Sequence, residues 1–240
     1  MASNFQKKIW KMWREFWDIW VPMATRGEVY DVCINGDCID GNHHNSTTQI
    51  SHNLKDQKRI AEMILRPIVE NCRNFYMVRG TEAHVGQSGV NEEEVAEILG
   101  AIPNKEGQYA RHELWLYVGD SLVHLMHHIG STGSAAYEST AVHKEMTESL
   151  CEAARQGLEP PSVIIRSHRH RAFKTSFPAA RGEMISAVSP GWQAKTPFAY
   201  KIPGGRISLP QFGGLIVRSG DEDPIFVRHK TWHIGRPEAE

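Results

Sequence analysis

The chain has 240 residues, 40% of them apolar and 23% charged, enough to bury the core of one globular domain. Lys plus Arg number 27 against 28 Asp plus Glu, a net charge of −1, so there is no global basic field to hold nucleic acid and only a local patch stays open. The 20 Gly and 12 Pro lie near the ordinary background and argue against a fibrous or disordered class.

Cys33, Cys38, Cys72 and Cys151 form no C-x-x-C pair and no secretory signal opens the chain, which predicts a reduced, cytoplasmic setting. From Phe5 to Trp20 the apolar residues Phe5, Ile9, Trp10, Trp13, Phe16, Trp17 and Trp20 recur at three and four, the spacing of one helical face. Charged residues interrupt every apolar run far below the roughly 20 residues that span a bilayer, so no membrane partner is expected. Packing on a sheet is the expected use of that face, and Pro22 and Gly27 are read as its end.

Val29 to Ile34 reads as a buried strand that delivers the loop Asn35-Gly36-Asp37 at its C-terminal end. Helical spacing through Ile60, Met63, Ile64 and Ile68 covers 54–72, with Pro67 as a kink or early stop, and 74–78 is the next strand, ending in Arg79-Gly80. This alternation predicts an α/β fold whose ligands gather at strand C-terminal ends. Asn91 with Glu94 resembles a capping box for a helix to Leu99, stopped by Gly100. Residues 114–118 and 122–126 around Gly119-Asp120 form a hairpin pattern. A helix over 140–156, closed by Gly157, leads to a strand at 162–166, and after residue 170 only strand-like pieces follow, at 173–177, 184–188, 215–218 and 225–228.

Of the 13 histidines, several stand beside acidic residues and glycines where strands end, a pattern that suggests metal chemistry. Four segments carry it: 36–41, 80–84, His127-His128 and His168-Arg169-His170. On an extended chain residues i and i+2 point to the same side, so His168 and His170 can serve one centre or two adjacent ones. His127 and His128 point oppositely, so one of them at most binds a shared ion and the other is left to support it or to meet substrate. Asp37 adds the carboxylate that can bridge two cations.

In this order the segments resemble the calcineurin-like metallophosphoesterase family, phage-type members among them. Gly36 to Asp40 matches its G-D-x-x-D, His127 its lone His after a strand, and Ser167-His168-Arg169-His170 its G-H-x-H with Ser for Gly. The resemblance covers 29–171 and implies one domain over 1–240. Residues 1–28 are then the Trp-rich helix and loop, 29–171 the motif-bearing core and 172–240 a mostly β part. It implies two packed mixed β-sheets flanked by helices. It also implies two divalent ions, Mn favoured over Fe, Zn or Co, with Asp37, Glu82, His127, His168 and His170 as metal ligands. His84 would be the catalytic acid, with Asp40, His128 and Arg169 in support or at the substrate. Either Thr81 or Glu82 would stand for the family's Asn in Gly80-Thr81-Glu82-Ala83-His84.

The family's opening Asp-x-His, which its first central strand supplies, does not precede Gly36, so the resemblance implies a sheet that lacks this strand, and low stability or self-association is expected with it. Asp31, His43 and His44 are the remaining donors that could stand in. Arg79, Arg166, Arg169 and Arg171 are candidate phosphate contacts, and Trp192, Tyr200 and Phe212 are candidates to stack on a base or to pack in the core. The function implied is hydrolysis of a phosphomonoester or phosphodiester, nucleic acid included; the alternative is a metal-binding module that acts by interaction without catalysis.

Overall fold

A computed structural model of the protein describes residues 3–43, 46–86, 88–130, 137–180, 182–201, 208–220 and 225–234. Helix α1 (Asn4–Glu15) starts in a capping box: Ser3 Oγ accepts the Gln6 amide at 3.1 Å and Gln6 Oε1 accepts the Ser3 amide at 2.8 Å. At Phe16–Trp20 the helix widens into a π-turn, with the Val21 amide donating to the Phe16 carbonyl, and continues as α2 (Val21–Ala24). Pro22 therefore does not end it, because the inserted residue resets the ladder just before a residue that has no N–H to give.

Strand β1 (Val32–Asn35) starts three residues later than the sequence suggests. Val29 is exposed, and the Asp31 carboxylate meets the Arg73 guanidinium at 2.9 Å, so pairing begins only at Val32. Helix α3 (Leu54–Val69) is capped by Asn53, whose Oδ1 accepts the Lys55 amide at 3.0 Å, and it ends two residues after Pro67. Strand β2 (Phe75–Val78) follows, then the short α4 (Glu82–Val85) and α5 (Val90–Ile98). The start of α5 is Gly89, not an Asn91 cap: the Asn91 side chain donates instead to the Val85 carbonyl at 3.2 Å. Two-residue β3 (Ala110–Arg111) completes a parallel sheet of order β1-β2-β3.

The hairpin β4 (Glu113–Val118) and β5 (Ser121–Met126) leads through α6 (Glu138–Gln156) to β6 (Val163–Arg166). A second hairpin, β7 (Phe173–Ala179) and β8 (Gly182–Val188), joins them in a mixed sheet of order β4-β5-β6-β8-β7, with β5, β6 and β8 parallel. Strands β9 (Gln211–Arg218) and β10 (Phe226–His233) pair antiparallel. The sequence expectation of two mixed sheets is thus refined: one is wholly parallel, one is mixed, and the last hairpin stands as its own ribbon.

The layers are α3 and α5, the parallel sheet, the mixed sheet with the ribbon, and α6. One face of the parallel sheet buries Val32, Phe75 and Met77 against Ala61, Leu65 and Ile68 of α3 and Val95 and Ala96 of α5. Val78, with Cys33 and Tyr76, packs from its other face on Leu114, Val123, Val163 and Ile165 of the mixed sheet and Val227 of the ribbon. Helix α6 covers the far side through Met146 on Ile164 and Met184. The apolar face of the π-turn and the start of α2 lies on the ribbon, where Phe16, Trp20 and Val21 pack with Trp192, Ile216 and Trp232. Phe212 is fully buried there, so it and Trp192 are core aromatics, whereas Tyr200 is exposed with Lys195 Nζ 4.1 Å from its ring centroid. All four cysteines are free, and among the described residues no helix is long and apolar enough to cross a membrane.

The glycine pair inside β9, which lies before the strand expected at 215–218, is what lets the ribbon close. Gly213 has φ +143°, and a Cβ there would sit 1.9 Å from the Lys230 carbonyl oxygen of β10. Gly213→Ala should therefore lower the unfolding free energy by about 2 kcal/mol or more through forced separation of the two strands. Urea denaturation of the two proteins measures this, and a change below about 0.5 kcal/mol, the range of a neutral surface substitution, would contradict it.

Candidate metal centre

Strands β1, β2, β5 and β6 all end at the same side of the packed sheets, and Asn35 ties the seam between them. Its Nδ2 donates to the Met126 carbonyl at 3.0 Å and to Ser167 Oγ at 2.8 Å, joining the end of β1 to the ends of β5 and β6. Its own carbonyl accepts from His127 Nδ1 at 2.6 Å. Glycines make the approach possible: a Cβ on Gly36 would fall 2.3 Å from His127 Nδ1, and one on Gly80 2.2 Å from Asp37 Oδ1.

One donor atom each from Asp37, His127 and His168 lie within 4.8 Å of one another. Thr81 fixes the carboxylate of Asp37, its amide at 2.7 Å from Oδ1 and its hydroxyl at 2.9 and 2.8 Å from Oδ1 and Oδ2. His127 is 3% exposed, and its Nε2 stands 2.9 Å from Asp37 Oδ2 but not along a hydrogen-bonding direction, so this buried nitrogen has no hydrogen-bond partner. Because Nδ1 faces a carbonyl it carries the proton, and Nε2 aims a lone pair toward a carboxylate. Such a pair needs a cation between its members, and a proton or a divalent ion fills that need. Two imidazoles and a carboxylate in reach of one point fit a divalent transition ion.

Electrostatics agree with that reading. Burial alone would raise the Asp37 carboxyl, but the His127 contact and the nearby His84 hold it well below the usual carboxylate range. Burial works against charge on His127, yet Asp37 outweighs it and raises the imidazole above its usual value. Desolvation and the neighbouring His127 push His168 down to about 4, so at neutral pH its ring is in the form that ligates. Cys38 joins neither group of converging donors among the described residues, and burial, reinforced by Glu92, pushes its thiol well up.

The backbone is unusual at the same place. Four non-glycine residues have positive φ among the described residues, and three of them are Asp37 at 56°, His168 at 69° and His170 at 52°. The extended geometry expected for 168–170 is therefore replaced by two left-handed kinks. His170 joins neither group of three converging donors among the described residues; its ring packs on Gly191 and its carbonyl accepts the Gln211 amide at 2.9 Å.

His84 Nδ1 donates to the Asp40 carbonyl at 2.7 Å, leaving Nε2 4.0 Å from Asp37 Oδ2. His128 is exposed beside the centre, its ring 5.3 Å from that of His127 and 5.4 Å from that of His168. Glu82 is exposed at the start of α4 and stands outside the Asp37 group. Asp40 Oδ1 accepts from Gln193 Nε2 at 2.9 Å. Arg169 donates to the Gly130 and Glu138 carbonyls. Arg166 is buried against Glu145 at 2.8 Å, Arg171 pairs with Glu138 at 3.2 Å and Arg79 with Glu93 at 3.7 Å. His44 lies outside the described residues.

Sequence reading missed the brace beneath the site. Glu92, fully buried in the first turn of α5, accepts the Cys38 amide at 2.7 Å and the Gly80 amide at 2.6 Å, so one carboxylate holds the loops after β1 and β2 together. Burial raises its carboxyl, with those two amides working the other way.

No family model matches the sequence, and no curated protein matches it. Among solved structures, the chain is similar to Vps29 from Entamoeba histolytica complexed with Zn2+, at TM-score 0.40 and 11% identity over 90% of this chain and 88% of that one. It is also similar to Chaetomium thermophilum Vps29, at 0.39 and 11% over 92% and 89%. A conserved protein of Streptococcus pneumoniae, described as a predicted phosphoesterase, gives 0.35 and 8% over 84% and 97%.

Two outcomes follow from that geometry. Glu92→Ala leaves two buried amides without acceptors, at about 1–3 kcal/mol each; a loss near 3 kcal/mol in urea denaturation is expected, and a loss under about 0.5 kcal/mol would mean that the loops hold themselves. An ion at His127 Nε2 competes with a proton, so apparent affinity should rise with pH until the raised His127 value is passed and then level off. Calorimetric titration with Mn2+ over roughly pH 6 to 8 reads this, and a flat profile contradicts it.

Proposed function

We propose that the chain is a metal-dependent phosphoesterase of the calcineurin-like kind, acting on a phosphomonoester or phosphodiester, with Asp37, His127 and His168 holding a divalent ion. The carrying observation is the convergence of these three donors, from loops of two different sheets, within 4.8 Å. The order of the segments that supply them adds to it. When bound, a divalent ion there supplies Lewis-acid polarisation of the phosphoryl group and acidifies water. The donor set of two imidazoles and one carboxylate accepts Mn, Fe, Zn or Co, and Mn, the ion that the family resemblance favours, is the one used in the test.

The protein's own groups then have separate tasks. Thr81 keeps both Asp37 oxygens fixed, and the Asn35 carbonyl keeps His127 Nε2 turned inward. His84 is the acid for the leaving oxygen: its Nδ1 proton is held by the Asp40 carbonyl, so Nε2 is the atom that gives up a proton, beside Asp37. Asp40 acts through that carbonyl as a positioning residue. His128, exposed at the rim, is placed to meet the substrate. Phosphodiesters of nucleic acid fall within the proposed class.

The test uses metal-stripped protein reloaded with Mn2+, elemental analysis and hydrolysis of bis-p-nitrophenyl phosphate. His168→Ala should lose bound ion and lower kcat/KM by about 100-fold or more, and His84→Gln should keep the ion and lose about 100-fold in kcat. The His84→Gln loss should be larger for an alkyl leaving group than for p-nitrophenol, because the poorer leaving group needs the proton more. A fully loaded protein without turnover would overturn the enzyme reading and leave a metal-binding module that acts by interaction.

A further inference from the structure

We propose a second, separate metal site formed by Asp40, His43 and His84, donors that the Asp37 centre does not use as ligands. One carboxylate oxygen and one nitrogen from each imidazole lie within 4.8 Å of one another. The two rings are 4.4 Å apart at 67°, so they meet edge to face, and His43 Nε2 is 3.9 Å from Asp40 Oδ1. Two imidazoles and one carboxylate with open positions suit a borderline divalent ion such as Zn2+ or Co2+ better than the hard, oxygen-loving Mg2+ or Ca2+.

The loop that carries Asp40 and His43 is held as a ligand loop needs to be. Gln57 of α3, itself buried, accepts the Gly41 amide at 2.7 Å and donates to the Gly41 carbonyl at 3.3 Å. Gly41 has φ +71°, and a Cβ there would fall 2.3 Å from the His84 carbonyl oxygen, so the loop lies directly on α4. Gln193 Nε2 donates to Asp40 Oδ1 at 2.9 Å and so holds the carboxylate in place. The place is reachable: His43, His84 and the exposed Glu82 line a cavity of about 270 Å³, where Glu82 stands as a further oxygen donor at the rim.

An imidazole that ligates an ion cannot at the same time be an imidazolium. His84 therefore serves this site or proton transfer at the Asp37 centre, one at a time, and an ion here inhibits hydrolysis. That consequence rests on the phosphoesterase reading; the site itself does not.

Binding alone tests the site. Metal-stripped full-length protein is titrated with Co2+, followed by visible d–d absorption and calorimetry. Two ions per chain are expected for the parent. One is expected for His43→Ala and for the milder Asp40→Asn, and the other is expected to be lost in His168→Ala. Each variant is first checked by circular dichroism and thermal melting, and the double variant His43→Ala with His168→Ala should bind none. Parent stoichiometry and affinity within tenfold in both His43→Ala and Asp40→Asn would overturn the proposal, as would a parent that binds one ion and loses it wholly in His168→Ala.

Discussion

A single buried carboxylate sets the distance between the two loops on which the site depends. Glu92 has no solvent, and its two oxygens take the Cys38 and Gly80 amides, one from the loop after β1 and one from the loop after β2. Parallel strands deliver their loops side by side but do not fix how far apart those loops stand. With the amides on one carboxylate, Asp37 and Thr81 come within hydrogen-bond reach, and the carboxyl of Asp37 is held toward His127. The brace must remain an acceptor at both oxygens, and burial, by raising its proton affinity, works against that, while the two amide donors pull the other way.

Much of the architecture was legible in the sequence because periodicity and punctuation report burial directly. The four-residue recurrences of α1 and α3, the Gly119-Asp120 turn and the Gly157 stop all fall where the chain behaves as expected. Legibility failed where a contact from far along the chain decides. In the run Glu92-Glu93-Glu94 the sequence offers only the capping-box pattern of Asn91 with Glu94, yet its members do three different things. Glu92 braces the loops, Glu93 accepts the Tyr109 and Ala110 amides at 2.7 and 2.8 Å, and Glu94 pairs with Lys58. Successive helix positions turn by about 100°, so three neighbours meet three environments, and residue type alone cannot tell them apart. Asn35 was hidden in the same way, as an ordinary polar residue whose partners lie across the seam between the sheets.

The left-handed backbone at Asp37, His168 and His170 gives the site its rigidity. Each such residue costs about 1–3 kcal/mol that surrounding bonds must offset. The Cys38 amide on Glu92 anchors the first, the Arg169 amide on the Ser167 carbonyl at 2.8 Å the second, and the Gln211 amide on His170 the third. Ligand directions are thereby fixed by main-chain kinks, so side-chain rotation has little left to settle when an ion arrives.

The N-terminal helix lies on the ribbon formed near the other end of the chain. Arg218 Nη1 donates to the Ala24 carbonyl across 194 residues of sequence, and Phe5 meets Phe212 edge to face. An apolar helix face made early in synthesis thus waits, uncovered, until β9 and β10 have left the ribosome. Its closure is among the longest loops the chain must form, so the final packing step is slow and late, and in the interval the tryptophan face is the part of the nascent protein that a chaperone would grip.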